Sequence, residues 1–189
     1  MNRYILIVIL LFVISITLSA VDTQKDNYLM FGYAANIPEQ FLGFRLTRVV
    51  QNGTGFFLDL KTSLPMIESR DDFYSSISIN KAENIFGDEL IGKDESWTSI
   101  NGGLTGFLSG KTAIYGGIGF SFYDAYRQYY DSWEILGTRG KYWIEDPDKA
   151  TTKVNLLGGL IFLLDDRLGM QIGFETQPTG ASIVVGLVF

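Results

Sequence analysis

Arg167-Leu-Gly-Met-Gln-Ile-Gly-Phe-Glu-Thr176 decides the fold. Leu168, Met170, Ile172 and Phe174 fall on one side of an extended chain. Gly169, Gln171, Gly173 and Glu175 fall on the other. A period of two is the mark of a strand with two unlike faces, since a helix would mix these residues around its circumference. The run is also about the 9–11 residues that a tilted strand needs to cross a bilayer. The same alternation recurs upstream. In Thr54 to Thr62, Phe56, Leu58 and Leu60 oppose Phe57, Asp59 and Lys61. In Ala113 to Asp124, Ile114, Ile118, Phe120 and Phe122 oppose Tyr115, Gly117, Gly119, Ser121 and Tyr123.

Extending this reading along the chain predicts eight strands, at 28–36, 41–50, 54–63, 97–108, 112–126, 152–164, 167–176 and 180–189. Residues 73–81, around Ser76-Ile77-Ser78-Ile79, are assigned to a loop with room for a hairpin of its own, because a ninth strand would make the count odd. The connections then sort by parity. Gln51-Asn52-Gly53, Ser109-Gly110-Lys111 and Asp165-Asp166-Arg167 are short, while the long connections, 64–96 and 127–151, both lie at the opposite end with the brief 37–40 and 177–179. An all-β, antiparallel up-and-down barrel with both termini on one side predicts this partition, with tight turns within and long loops outside. Register agrees. A hairpin about Asn52 sets Arg45 against Asp59 and Phe44 against Leu60. One about Gly110 sets Thr105 against Tyr115 and Ile100 against Phe120, and one about Asp166 sets Glu175 against Leu157.

The ends and the composition supply a location. Arg3 followed by the apolar run Tyr4 to Leu18, with Leu18-Ser19-Ala20 as a cleavage point, predicts a signal peptide over residues 1–20, then a short segment 21–27 and a barrel domain over 28–189. Loss of Arg3 takes the net charge from −6 to about −7, a sign that disfavours nucleic acid. There is no Cys, so an exported chain of this size relies on no disulfide. There is no His, which removes most hydrolytic triads and the common zinc sites. No cofactor motif is legible. Arg45, Asp59, Lys61, Gln171 and Glu175 share one face against Leu and Phe on the other. A soluble barrel keeps its apolar face inside, whereas a bilayer inverts that arrangement, and only a closed ladder satisfies the backbone in lipid.

The last strand resembles the C-terminal signature of bacterial outer-membrane barrels. Phe189 is terminal, and Leu187, Val185 and Ile183 precede it at alternate positions, with Leu187 where an aromatic is common. The resemblance extends, as architecture, to the small eight-stranded barrels of the OmpA/OmpX type. It implies an address in the outer membrane, contact with its lipid and lipopolysaccharide, recognition of the final strand by the barrel-assembly machinery, and a monomeric state. Enzymatic outer-membrane barrels such as lipid A acyltransferases, phospholipases and omptin proteases usually depend on a catalytic His, so that part of the resemblance fails here.

Candidate functional residues form two groups. Arg45, Asp59, Lys61, Lys153, Gln171 and Glu175 are expected to form a polar network inside the barrel, structural rather than catalytic, since an isolated charge there would be costly. With Tyr115, Tyr123, Phe57 and Phe107 also pointing inward, an eight-stranded lumen is filled by side chains and is no general pore. The second group is the aromatic set Tyr126, Tyr129, Tyr130, Trp133, Tyr142 and Trp143, interleaved with charges in the 127–151 connection. These suit either surface binding or the self-packing of an ordered loop. The acids of 64–96 lack the spacing of a calcium loop and read as a solvated face. The sequence therefore points to a non-enzymatic envelope or surface-interaction protein. A narrow channel and a secreted lipocalin-like binding barrel are the alternatives.

Overall fold

The computed structural model describes residues 27–37, 41–63 and 72–189. The predicted signal peptide and the segment that follows it lie outside these residues, apart from Asn27. The strands are β1 (Asn27–Ile37), β2 (Phe41–Val50), β3 (Thr54–Ser63), β4 (Glu89–Ser109), β5 (Thr112–Tyr130), β6 (Lys141–Glu145), β7 (Thr151–Leu163), β8 (Leu168–Thr176) and β9 (Thr179–Val188). Every pairing is antiparallel. The sheet runs β4-β3-β2-β1-β9-β8-β7-β5, and β4 pairs with β5 to close an eight-stranded ring. β6 lies outside the ring, on the far part of β5.

All three predicted hairpin registers are present: Arg45 opposite Asp59, Thr105 opposite Tyr115, and Leu157 opposite Glu175. β9 closes against β1, with Tyr33 opposite Val185 and Phe31 opposite Leu187. Closure leaves no edge in the ring, so the backbone donors and acceptors of the membrane segment are paired. Outside, Phe44, Leu58, Ile100, Ile118, Phe120, Leu156, Ile172, Val185 and Leu187 are exposed. Inside, Arg45, Lys61, Asn101, Asn155, Gln171 and Glu175 are buried. This is the inverse of a lipocalin-like barrel, and it sets that alternative aside.

Two predicted strands are longer than expected. β4 begins at Glu89 rather than 97, and β5 continues to Tyr130 rather than 126. Residues 89–96 carry Glu89, Lys93, Asp94 and Glu95, and a register shift between Leu90 and Gly92 breaks the period. A strand in water needs no apolar face toward lipid, so the alternation that marks a membrane strand is missing there. At about 3.3 Å per residue, the 21 residues of β4 span roughly 70 Å against a hydrocarbon core of about 30 Å. Residues 73–81 add no strand, in keeping with their assignment to a loop; they carry one bridge, Phe73 to Trp143, and lead into a π-helical turn at Lys81–Phe86. The Ser-rich run here does not pair with itself; Tyr74 instead donates its backbone N–H to Trp143 O at 2.9 Å.

Two glycines, Gly103 of β4 and Gly117 of β5, have a packing role. A Cβ on Gly103 or on Gly117 would stand 2.6 Å from the inward ring of Phe57. Their absence of side chain lets that ring lie across two strands and fill the lumen.

Candidate functional site

Two clusters of buried polar groups stand in series along the barrel axis. The lower one is a sealed network. Arg45 donates from Nε to Asp59 Oδ2 at 3.0 Å and from Nη1 to Gln171 Oε1 at 3.3 Å, and it approaches Glu175 at 3.5 Å. Lys61 is paired to Glu175 and stands 3.4 Å from Asp59. Two cations thus face two carboxylates, all four fully buried. The guanidinium lies over the rings of Phe57 and Tyr115 at 5.0 and 4.8 Å. That contact offsets part of the cost of taking a cation out of water.

Strand parity puts these residues on one face, and the stagger of the closed sheet brings them to one height. It also recruits residues that the alternation alone did not single out. Asn101 donates to Asp59 Oδ1 at 2.6 Å. Asn155 donates to Asn101 Oδ1 at 2.9 Å and to Glu175 Oε2 at 3.4 Å, and Gln171 donates to Thr47 Oγ1 at 2.7 Å. The Asp59–Asn101 pairing across β3 and β4 was the available signal. Lys153 does not join. It has inward parity, but it sits one step beyond Asn155 toward the barrel mouth, where it is exposed with its ammonium 5.8 Å from the Trp97 ring. Below the network, Val49, Phe57, Ala113, Tyr115, Leu157 and Ile161 pack together, as do Met30, Ala34, Leu163, Val184 and Val188. The lumen is occupied from the network down to the short turns.

The upper cluster is a cap built on the protruding parts of β4 and β5 with β6. Tyr129, Tyr142, Ile144, Ile77 and Ala82 form its core, with Tyr74, Ile79 and Leu136 packed around them. The rings of Tyr129 and Tyr142 stack at 6.0 Å. Each hydroxyl donates to a carboxylate at 2.5 Å, Tyr129 to Glu83 and Tyr142 to Asp88. Burial, reinforced by Glu83, pushes the Tyr129 phenol up to about 12, and burial with Asp88 raises Tyr142 as well. Arg127 ties the unit together, donating to Glu83 at 3.0 Å and Asp146 at 2.9 Å.

The expected aromatic surface is therefore divided. Tyr129 and Tyr142 are core residues and present nothing to a ligand. Tyr126 packs edge-on to Phe73, and Trp143 holds the bridge to Phe73; these and Tyr130 are half-buried. Trp133 alone of the set is fully presented. It stands on a turn organised by Asp131, whose carboxylate accepts the backbone N–H groups of Trp133, Ile135 and Leu136 at 2.8, 2.8 and 2.9 Å. Burial opposes the charge of Asp131, but these three donors hold its carboxyl below the usual range.

At the C-terminus, Val184, Val188 and Ser182 point inward, whereas Val185, Leu187 and Phe189 point outward and Ile183 is half-buried on the outer face.

A closed ring of eight antiparallel strands with an apolar exterior and a charged, filled interior defines a small transmembrane β-barrel of the outer-membrane type. Among solved structures, the chain is similar to Ail, the attachment invasion locus protein of Yersinia pestis, at 15% identity and a TM-score of 0.50, covering 88% of this chain and 100% of that one. It also aligns with the same protein in a phospholipid bilayer nanodisc (13% identity, TM-score 0.46, 88% and 99% of the two chains) and with Neisserial surface protein A (10%, 0.34, 86% and 91%). No protein-family model and no curated protein matches the sequence.

Proposed function

We propose that the protein is a non-enzymatic outer-membrane barrel that acts by contact, its lumen serving as a sealed anchor and its cap as the working surface. The observation that carries this reading is the cap itself. β4 and β5 continue past the bilayer, and the Tyr129–Tyr142 core binds them to β6 and the Lys81–Phe86 turn. Long outer loops with no task need no buried core, whereas ordered ones present residues in a set geometry. Supporting the absence of transport, the charge-balanced network and the apolar layers beneath it occupy the lumen. In this reading the chain is a monomer held by outer-membrane lipid and lipopolysaccharide. Ile183, Val185, Leu187 and Phe189 form the strand that the barrel-assembly machinery recognises, and no cofactor is needed.

The test joins two measurements. Cells displaying the protein are compared with cells displaying a variant in which 131–140 is replaced by a short Gly-Ser turn, for attachment to host cells or matrix. Purified protein is also placed in planar bilayers. Attachment that depends on 131–140, with silent bilayers, is expected. A reproducible open state would return the narrow-channel reading.

A further inference from the structure

Resting on the contact reading above, we propose that the Trp133–Ile135 knuckle inserts into the zwitterionic lipid bilayer of an apposed membrane. Trp133 is 80% exposed and Ile135 79%, more than any other large apolar side chain among the described residues. Glu89 pairs with Tyr130, so the Lys81–Phe86 turn and the 131–140 loop both meet the hairpin at its far end. Ile85, 68% exposed, therefore stands at the same end, with Phe86, Leu90 and Ile91 also exposed. Only a few such residues are expected in water without a partner.

The knuckle is built, not frayed. Beyond the three bonds to Asp131, Gly137 N–H donates to Tyr74 Oη at 3.3 Å and Thr138 N–H to Asp72 Oδ2 at 2.5 Å. Left-handed backbone at a non-glycine residue is uncommon and costs roughly 1 kcal/mol. Among the described residues it occurs at Glu134 and Arg139 within this loop and at Asp72, whose carboxylate accepts the Thr138 N–H from outside it. A turn held in an unfavourable conformation so as to project Trp133 and Ile135 points to a use for that projection.

Chemistry selects the occupant. Side chains exposed to this degree are supported from the backbone and have few neighbours, so they offer depth of penetration rather than a flat contact area. Trp settles at headgroup level, with aliphatic groups beneath it. Around them, Lys81, Arg127, Arg139 and Lys141 stand against Asp72, Glu83, Asp88, Glu89, Asp131 and Glu134, a net charge of −2. An acidic rim repels anionic lipid and polyanions, so a bilayer of headgroups that carry one charge of each sign is the surface that admits the apolar tip. β4 leaves β3 at Thr98 and continues to Glu89, about 30 Å further at 3.3 Å per residue. The tip is thereby held away from the protein's own bilayer.

The full chain in nanodiscs, mixed with phosphatidylcholine vesicles, provides the test by co-flotation. Quenching of tryptophan fluorescence by brominated phosphatidylcholine in the vesicles reports insertion. The wild type should float and be quenched. Trp133→Ser with Ile135→Ser should weaken partitioning about tenfold or more. Asp131→Asn, which keeps both apolar side chains but loosens the turn, should weaken it less, and added salt should leave it unchanged. Heat-modifiable gel migration confirms that each variant retains its barrel. Equal flotation of the wild type and the double variant overturns the proposal, as does binding only to anionic vesicles or binding lost in salt. Self-association of nanodiscs abolished by the double variant assigns the knuckle to a second copy and also overturns it. Attachment to cells that depends on 131–140, without capture by vesicles, preserves the contact reading and removes the lipid.

Discussion

The lumenal network and the cap both bury polar groups, but they solve the problem differently. In the lumen, Arg45 and Lys61 face Asp59 and Glu175, charge against charge, with Asn101 and Asn155 donating to the remaining carboxylate oxygens and Gln171 accepting from Arg45. In the cap core, neutral phenols donate to carboxylates at the margin, Tyr129 to Glu83 and Tyr142 to Asp88. The lumen lies within a closed ring and has no access to water from the side, so every charge needs a counter-charge. The cap is bathed in water, so its acids stay solvated on one side and only the rings are withdrawn. The lumen should therefore respond to loss of a single charge, and the cap to pH.

The largest effect is expected at Arg45. Replacement by Ala leaves Asp59 and Glu175 to one buried cation, a loss of about 3–5 kcal/mol. Equilibrium unfolding in urea, followed by gel migration, measures it. The exchanged pair, Arg45→Asp with Asp59→Arg, should retain more stability than either single Ala variant. Equal losses in all three would show that the pair is not the unit of stability.

Next, the cap should separate from the barrel at alkaline pH. The Tyr129 phenol is raised from 10.0 to about 12 in the folded protein. The unfolded segment therefore releases its proton first, and the stabilisation present below pH 10 is lost as pH rises toward 12. Tyrosinate absorbance alongside proteolysis between residues 72 and 146 should show the cap opening while the barrel still migrates as folded. Simultaneous loss of both would merge the two regions into one cooperative unit.

A smaller, local change is expected for Asp131→Ala. Amide exchange at Trp133, Ile135 and Leu136 should accelerate, with the barrel midpoint unmoved. In the wild type the protection of the same amides, taken relative to their intrinsic exchange rate at each pH, should fall in acid. The depressed carboxyl of Asp131 contributes stability above the ordinary aspartate value and loses it as pH falls through its own. Smallest of all is Lys153→Ala. Its ammonium is exposed, so the barrel should shift by less than about 0.5 kcal/mol. A loss comparable to that of Arg45 would place Lys153 in the network after all.

The barrel was legible because its information is local. Residues 167–176 alternate, a turn centre such as Asn52 or Gly110 sets each register, and a register error would turn every side chain to the wrong face. From these alone, Arg45 meets Asp59, and Val185 and Leu187 face outward. The strand start at Glu89 was not legible, because outside lipid no apolar face is required and the period disappears.

The amino-acid order by itself determined the class of fold, the strand pairing and the parity of each side chain, since these follow from backbone geometry repeated every two residues. Tertiary structure alone decided which inward residues reach one another, admitting Asn101 and Asn155 and leaving Lys153 outside, because the stagger of a closed sheet sets their heights. It alone also divided the aromatic residues of 126–143 into a buried Tyr129 and Tyr142 and an exposed Trp133. Loop packing depends on contacts distant in sequence, such as Tyr74 with Tyr142 and Glu83 with Tyr129, which no local period encodes.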